Sequence, residues 1–486
     1  MNNEEYVGKN FSWGAFSQLI TRLFGLVFFI FMSYVLLEKG MGQYNFISSF
    51  VVFWFIISDF GAGSYLYREW SKGDTSIENI SYDFNLIFST KFFIALLIFV
   101  PFVITNWFVN RDIFLPLILY YIVIFLSLII NLADSYLGSA NNFKLGAIRQ
   151  VIEKSVTIFI GGILLLFFPK VEMVFVAMII AQIVSIYYYF SGRFPFKLRF
   201  IINWKRIKSL FVKGLPFVFF TLVISLYSRI DMVMLKFMGD YNVVGWYGTA
   251  YKVYDIAVIF PAVLFVPAIF PVLSRIFSSG NSEDLRNFFN KSIRILFSFS
   301  LTMSLFFIFF APLIVGKFFP ASFLPSILAM RILILTLVIS SLSILFNNLL
   351  IIQNKEKISL KLVVISCIIN ILLNVVLIPR YSLYGSAWAT VIAEIIYLFL
   401  LQHTAVWEKD FGLIKKIGFL VFFNIITLFI IKYFELLNNL FVGVSDLLVN
   451  ILLIWLLGVL NKSDLQMFYL PIKNKFKNMF FNNTEI

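Results

Sequence analysis

The chain has 486 residues, of which 61% are hydrophobic and 13% charged, with a net charge of +14 and a mean hydropathy of +0.93. Soluble globular proteins carry roughly 25% charged residues, so this composition excludes a water-soluble fold and predicts an integral membrane protein. The apolar runs are continuous and about 20 residues long, which excludes a β-barrel, whose strands alternate over about 10 residues.

In chain order, the apolar runs predict about 14 transmembrane helices, because each is long enough to cross the hydrocarbon core of a bilayer. They lie at residues 11–37, 44–66, 84–107, 113–139, 148–168, 171–190, 210–237, 246–272, 292–315, 325–352, 359–379, 383–402, 412–432 and 443–460. The predicted fold class is therefore an all-α polytopic membrane protein.

The basic residues predict the orientation, because Lys and Arg concentrate in cytoplasmic connectors. With basic residues near span ends counted to the adjoining connector, one side of the predicted helices holds 27 of the 39 basic residues, the other side holds 7, and 5 lie within spans. Both termini are therefore predicted to be cytoplasmic, in a multi-pass protein of the plasma (inner) membrane. This distribution also explains the net charge without nucleic acid as a partner.

The sequence contains few of the residues and motifs that usually bind metals, bind ATP or carry out catalysis. One cysteine (Cys367) and one histidine (His403) exclude an internal disulfide, metal sites built from cysteine or histidine clusters, and a histidine-dependent catalytic triad. No P-loop for ATP is present. We expect no metal, no cofactor and no enzymatic activity.

An internal repeat divides the chain into lobes. Gly42-Gln43-Tyr44 opens the second predicted span, and Gly245-Trp246-Tyr247 opens the eighth. Matching positions in two sets of six spans predict a duplication, with the axis relating the halves along the membrane normal. The predicted domains are an N-terminal six-helix lobe (1–192), a basic cytoplasmic connector (193–213), a C-terminal six-helix lobe (214–403), and an extra helix pair with a basic cytoplasmic tail (404–486).

Placing a charged residue inside a span costs roughly 2.5–3.5 kcal/mol on membrane-insertion scales, so each such residue is expected to have a structural or functional role. The basic ones are Arg22, Lys91, Arg229, Lys252 and Arg331, and the acidic ones are Asp59, Asp134, Asp231, Asp255 and Glu394. Arg22 lies well inside the first span, with Gly25 leaving space beside it, which predicts that it faces a polar cavity. Three of these charged residues, Asp59, Lys91 and Arg331, lie near span ends. The alternative to a functional role is that their side chains snorkel to the membrane interface.

Pairs of charges near each other in the chain are also ambiguous. Arg229 and Asp231 are two residues apart, so they face different directions on a helix. Lys252 and Asp255 are three apart and share a face, so they either face a cavity or neutralise each other. The acidic residues that we expect to bind a coupling proton or Na⁺ are Asp59, Asp134 and Asp231.

Several motifs resemble those of a known family. They are Lys9-Asn10-Phe11-Ser12-Trp13-Gly14 leading to Arg22, Ser58-Asp59-Phe60-Gly61-Ala62-Gly63, Arg229-Ile230-Asp231, Val244-Gly245-Trp246-Tyr247-Gly248-Thr249-Ala250-Tyr251-Lys252 and Gly385-Ser386-Ala387-Trp388. In this order, over about residues 9–400, they resemble polysaccharide-type flippases of the multidrug/oligosaccharidyl-lipid/polysaccharide exporter superfamily. Each motif alone is loose, and their order carries the resemblance.

The resemblance implies two six-helix lobes around a central cavity that opens alternately to the two sides. It implies a polyprenyl-diphosphate-linked oligosaccharide as the substrate, moved from the cytoplasmic to the outer leaflet, with glycan polymerase or ligase machinery as a further candidate partner. In related flippases an arginine on helix one and a basic–acidic pair on helix eight line the cavity, and Arg22, Lys252 and Asp255 occupy matching positions. We add Arg229 and Arg331 to the predicted substrate-binding residues.

Two other functions compete with this one. A drug or cation exporter of the same superfamily would need an acidic cavity, whereas the cavity predicted here contains Arg22. An integral membrane glycan polymerase or glycosyltransferase would need a large outer loop or a pair of aspartates two residues apart, and the sequence has neither.

Overall fold

The computed structural model of the protein describes residues 3–73, 75–407, 410–461 and 464. Within these residues there is no strand, and the α-helices are α1 (Asn3–Asp59), α2 (Ala62–Trp70), α3 (Ile77–Val109), α4 (Phe114–Ser139), α5 (Phe143–Phe167), α6 (Val171–Phe190), α7 (Trp204–Met238), α8 (Tyr241–Ala257), α9 (Val266–Ser278), α10 (Ser282–Phe318), α11 (Ser326–Leu333), α12 (Thr336–Ile352), α13 (Glu356–Thr404), α14 (Phe411–Tyr433) and α15 (Leu440–Leu456). The prediction of an all-α polytopic fold is confirmed.

Two of these helices are too long to cross a bilayer once. The apolar part of α1 has 40 residues and α13 has 49, whereas about 20 residues span the hydrocarbon core of about 30 Å. Each contains one residue with non-helical backbone angles, Leu37 (φ 55°, ψ −171°) and Ser382 (φ 53°, ψ −133°). We conclude that α1 and α13 each supply two of the predicted spans, one on either side of the kink.

The eighth predicted span is an interrupted helix. A π-helical segment, Phe260–Phe265, lies between α8 and α9. Pro261 stands at the start of this segment and has no backbone N–H to donate, so the regular hydrogen-bond ladder cannot run through it. The second predicted span also ends earlier than expected, because Phe60 and Gly61 separate α1 from α2 with positive φ angles.

The described helices group into two compact units. Unit 1 comprises the described residues of Met1–Lys252, Lys317–Ser326 and Val363–Ala389, and unit 2 those of Val253–Gly316, Ile327–Leu362 and Thr390–Ile486. The predicted lobe boundaries at 192, 213 and 403 remain predictions. Most of the predicted basic tail, including Lys462 and all residues from 465 onward, lies outside the described residues, and so do residues 1 and 2 at the N-terminus.

The predicted basic connector is packed into the core of unit 1. Phe194 and Phe196 are buried in a hydrophobic core cluster together with Phe84 of α3. The guanidinium of Arg206 donates two hydrogen bonds to the carboxylate of Asp83, at 3.1 and 2.8 Å, a bidentate arrangement that fixes geometry as well as charge. The second part of the predicted connector is helical, because α7 begins at Trp204.

The two repeat glycines, Gly42 and Gly245, each pack closely against backbone of the other repeat within unit 1. A Cβ atom at Gly42 would collide with the backbone carbonyl of Tyr241, and one at Gly245 would collide with the carbonyl of Glu38. These reciprocal contacts bring the second pass of α1 against the start of α8, and only a residue without a side chain permits so close an approach. This packing is the reason for glycine at both repeat positions.

Candidate functional site

One face of the first pass of α1 carries Arg22, and the side chain of Lys252 from α8 lies against the same face. Arg22 is half-buried. The Nζ of Lys252 lies 3.9 Å from the place that a Cβ of Gly25 would occupy, and 5.7 Å from the centroid of the Phe29 ring. Because residues three and four apart share a helix face, Arg22, Gly25 and Phe29 form one stripe, and the ammonium of Lys252 lies over it. The absent side chain at Gly25 leaves room for this ammonium.

Arg229 and Asp231 of α7 have different surroundings. Arg229 is exposed. Asp231 is buried and accepts hydrogen bonds from the Tyr247 hydroxyl at 2.5 Å and from the backbone N–H of Met232 at 2.8 Å. The Asp231 carboxylate is therefore held inside unit 1, whereas Arg229 is exposed.

Asp59 forms an ion pair with Lys91 in unit 1. The Lys91 ammonium donates a short hydrogen bond to Asp59 Oδ1, and the side chain of Lys91 is only 2% exposed, compared with 37% for Asp59. The snorkelling alternative for Lys91 is wrong, because a snorkelling lysine exposes its ammonium to water. A charge buried this deeply needs its partner, and the Asp59 carboxylate neutralises it.

Asp134 belongs to a buried charge network in the same unit. It accepts a short hydrogen bond from the Tyr189 hydroxyl and one of 3.2 Å from Arg149, whose guanidinium also contacts Glu153. Arg149 is buried, with 4% exposure. This arginine partly neutralises two carboxylates, which leaves Asp134 less suited to binding a free cation than an isolated carboxylate would be.

Arg331 holds parts of unit 2 together. Its guanidinium donates to the backbone carbonyl of Ile308 at 2.9 Å, to that of Leu437 at 3.1 Å and to the side-chain oxygen of Asn438 at 2.9 Å. These contacts join α10 and α11 to the turn between α14 and α15. We therefore leave Arg331 out of the proposed substrate site. Asp255 is half-buried near the end of α8, and the chain passes from unit 1 to unit 2 between Lys252 and Val253.

Glu394 is a candidate residue that the sequence did not single out for coupling. It is buried on α13, and its Oε2 lies 3.5 Å from the Ser343 hydroxyl. On the same face of α12, Ser340 lies 3.1 Å from the hydroxyl of Tyr254, on which the charge of Glu394 acts. The sequence feature that could have identified Glu394 is a carboxylate inside one span together with serines three residues apart in another span.

Comparison with known proteins identifies the family. The sequence pattern of the family described as polysaccharide biosynthesis protein matches residues 7–277, which is more than half of the chain. The chain belongs to this family. The MatE family pattern also matches the chain, over residues 216–376. Together the two matches place it in the multidrug/oligosaccharidyl-lipid/polysaccharide exporter superfamily, a superfamily of membrane transporters, as the motifs implied.

One curated protein to which the chain is similar is the probable low-salt glycan biosynthesis flippase Agl15 of Haloferax volcanii, with 26% identity over 260 residues. The alignment covers 52% of this chain and 53% of the relative, so the chain matches about half of the relative's length.

Among solved structures, the protein is similar to the lipid II flippase MurJ in an inward closed conformation, with a TM-score of 0.71 and 18% identity over 95% of this chain and 99% of that one. It is also similar to an inward-facing multidrug resistance transporter of the MATE family, with a TM-score of 0.61 and 18% identity over 79% of this chain and 96% of that one. At these identities the likeness establishes the fold.

Proposed function

We propose that this protein is a flippase that moves a polyprenyl-diphosphate-linked oligosaccharide from the cytoplasmic to the outer leaflet by alternating access. The observation that carries the proposal is the approach of Lys252 to the face of α1 that bears Arg22. A diphosphate cannot cross hydrocarbon unaided, and cations in surroundings of low dielectric constant compensate its charge. The product would serve cell-surface polysaccharide or glycan assembly at the plasma membrane.

The two cations have complementary roles in this proposal. Arg22 presents a planar guanidinium, which pairs with phosphate oxygens bidentately, whereas Lys252 contributes a point charge with three donors. The space beside Gly25 admits the Lys252 ammonium to the helix face that bears Arg22, so one diphosphate would contact both cations. The glycan would contact Arg229, whose exposed guanidinium can donate hydrogen bonds to sugar hydroxyls.

A reconstituted system tests the substrate class. Purified protein in proteoliposomes should expose a polyprenyl-diphosphate-linked glycan to an impermeant glycosidase within minutes, and the same glycan on an uncharged lipid should stay protected. Protein-free vesicles are the control. Equal movement of both lipids, or efflux of a cationic dye in their place, would contradict the proposed recognition of diphosphate.

Glu394 is the strongest candidate for the coupling residue, with Asp231 second. Asp59 and Asp134 each neutralise a buried cation, Lys91 and Arg149. Glu394 is buried inside a span, and its Oε2 lies 3.5 Å from the hydroxyl of Ser343. A carboxylate beside hydroxyl oxygens offers the kind of oxygen ligands and proton acceptor that an ion-driven transporter needs.

We expect Glu394→Gln to retain substrate binding but to lose most of the stimulation of transport by a proton or Na⁺ gradient, because the amide removes the charge while keeping the size. Transport is measured in proteoliposomes with each gradient imposed in turn. Glu435→Gln, at an exposed carboxylate of the same unit, is the control. If transport by Glu394→Gln still depends fully on the imposed gradient, Asp231 becomes the proposed coupling residue.

A further inference from the structure

Unit 2 contains a cavity that is separate from the cationic stripe of unit 1. Its volume is about 490 Å³, and it is lined by Phe277, Ser282, Leu285, Arg286, Phe289, Leu349, Gln353, Lys355, Val406 and Trp407. Ligand pockets in proteins measure roughly 300–1,000 Å³, so the cavity can hold a small organic group.

The cavity lies where several helices of unit 2 end together. Its residues come from the last turn of α9, the first turns of α10, the end of α12, the α12–α13 connection and the segment after α13. The basic residues at and near these helix ends, among them Arg275, Arg286, Lys355 and Lys357, were counted to the side predicted to be cytoplasmic, so this edge belongs to that side. Helix ends on that side lie at the level of the lipid headgroups, where tryptophan is enriched.

The walls of the cavity are well defined. The Gln353 side chain donates to the carbonyl of Val406 at 2.6 Å and accepts from its N–H at 3.2 Å. The Trp407 ring packs on Phe289 and Phe346, with centroids 5.9 and 5.2 Å apart. The indole N–H of Trp407 is buried without a hydrogen-bond partner among the described residues. The apolar wall is therefore fixed by contacts within unit 2.

The charged residues among the described lining of the cavity have one sign. They are Arg286 and Lys355, and the described lining includes no carboxylate. Lys355 donates one hydrogen bond, of 3.2 Å, to the carbonyl of Thr404, and an ammonium has three donors. Glu283 precedes Arg286 by three residues on α10 but does not line the cavity. An apolar wall beside two cations suits a molecule with an anionic group and a hydrocarbon part.

We infer that this cavity binds an anionic glycerophospholipid of the surrounding leaflet, with the phosphate at Arg286 and Lys355 and the first part of an acyl chain against Leu285, Phe289 and Trp407. Basic pockets between transmembrane helices on the cytoplasmic side are typical of anionic headgroup sites. Free phosphate would leave the apolar wall unused. A lipid of the same leaflet reaches helix ends without leaving the bilayer.

Native mass spectrometry of the full-length protein tests the inference, with phosphatidylglycerol and phosphatidylcholine of the same chain length as probes. We expect phosphatidylglycerol to bind about tenfold more tightly, and the Arg286→Gln/Lys355→Gln double variant to lose this preference, since hydrogen bonds to charged groups are lost. The matched control, Arg275→Gln/Lys357→Gln, removes two exposed cations of the same unit that do not line the cavity and should keep the preference.

A second variant separates the apolar part from the charges. Leu285→Trp fills the cavity and should weaken phosphatidylglycerol binding while leaving both cations in place; its melting temperature without lipid shows whether it folds. An equal loss in the control pair, tighter binding of polyprenyl diphosphate at this cavity, or equal competition by inorganic phosphate would overturn the inference. A change in oligomeric state in the double variant, with lipid affinity unchanged, would assign the cavity to a second copy of the chain.

Discussion

Replacing Arg22 by alanine is expected to abolish flipping of the diphosphate-linked glycan while expression and membrane insertion persist. The guanidinium is half-buried on the same helix face as Gly25, beside which the Lys252 ammonium lies. A charge-assisted hydrogen bond contributes roughly 1.5–3 kcal/mol, so its loss weakens substrate binding by about 10- to 150-fold. Transport in proteoliposomes, normalised to the amount of inserted protein, measures the effect.

The conservative variant separates charge from shape. Arg22→Lys should restore part of the transport, because the charge contributes more than the planar fork to holding a diphosphate. Arg380→Ala, at an exposed arginine of the same unit, is the control and should transport normally. An Arg22→Lys protein as inactive as Arg22→Ala would show that charge alone is insufficient at this position.

A structural role for Arg22 makes a different prediction. If Arg22 only neutralised an acid such as Asp59 or Asp231, removing both charges would recover transport. Asp59 is paired with Lys91, and Asp231 accepts hydrogen bonds from Tyr247 and from the Met232 backbone. We therefore expect Arg22→Ala/Asp231→Asn to remain inactive. Recovered transport in this double variant would end the proposed diphosphate role.

Hydropathy alone was sufficient to locate the helices. All fourteen predicted spans fall mainly on helical residues, because every backbone polar group in lipid has to be satisfied within the segment. The sequence did not show how adjacent spans are joined. At Leu37 and Ser382 one residue in an unusual conformation joins two passes, and hydropathy averaged over a window does not detect a change at one residue.

The surroundings of the charged residues were harder to predict. The in-span charges were recognisable, but the partner of each depends on contacts between distant helices. Lys91 pairs with Asp59, which is 32 residues away in the chain. Arg331 donates a hydrogen bond to the backbone carbonyl of Leu437, 106 residues away. Phe194 and Phe196, within a strongly basic stretch, are buried because they alternate with residues that face outward, a short pattern that the charge count obscured. Glu394 was recognisable as an in-span acid, but its serine neighbours lie on another helix.

The buried ion pair between Lys91 and Asp59 is expected to have the largest effect on stability. Asp59→Asn leaves an uncompensated ammonium in a side chain that is 2% exposed. Breaking a buried pair by removing one partner costs about 3–5 kcal/mol. Lys91→Met should cost less, because the Asp59 carboxylate left behind is partly exposed and still solvated. Thermal unfolding of the purified protein in detergent gives the order of the two variants.

The double variant decides between a structural and a coupling role for Asp59. Lys91→Met/Asp59→Asn removes both charges, so it should recover most of the stability lost in Asp59→Asn, together with gradient-dependent transport. Glu69→Gln, which breaks the exposed pair with Lys72 in the same unit, is the control and should unfold almost as the unaltered protein does. A stable double variant that transports without gradient dependence would instead assign ion coupling to Asp59, because its charge would then be needed for a purpose other than pairing with Lys91.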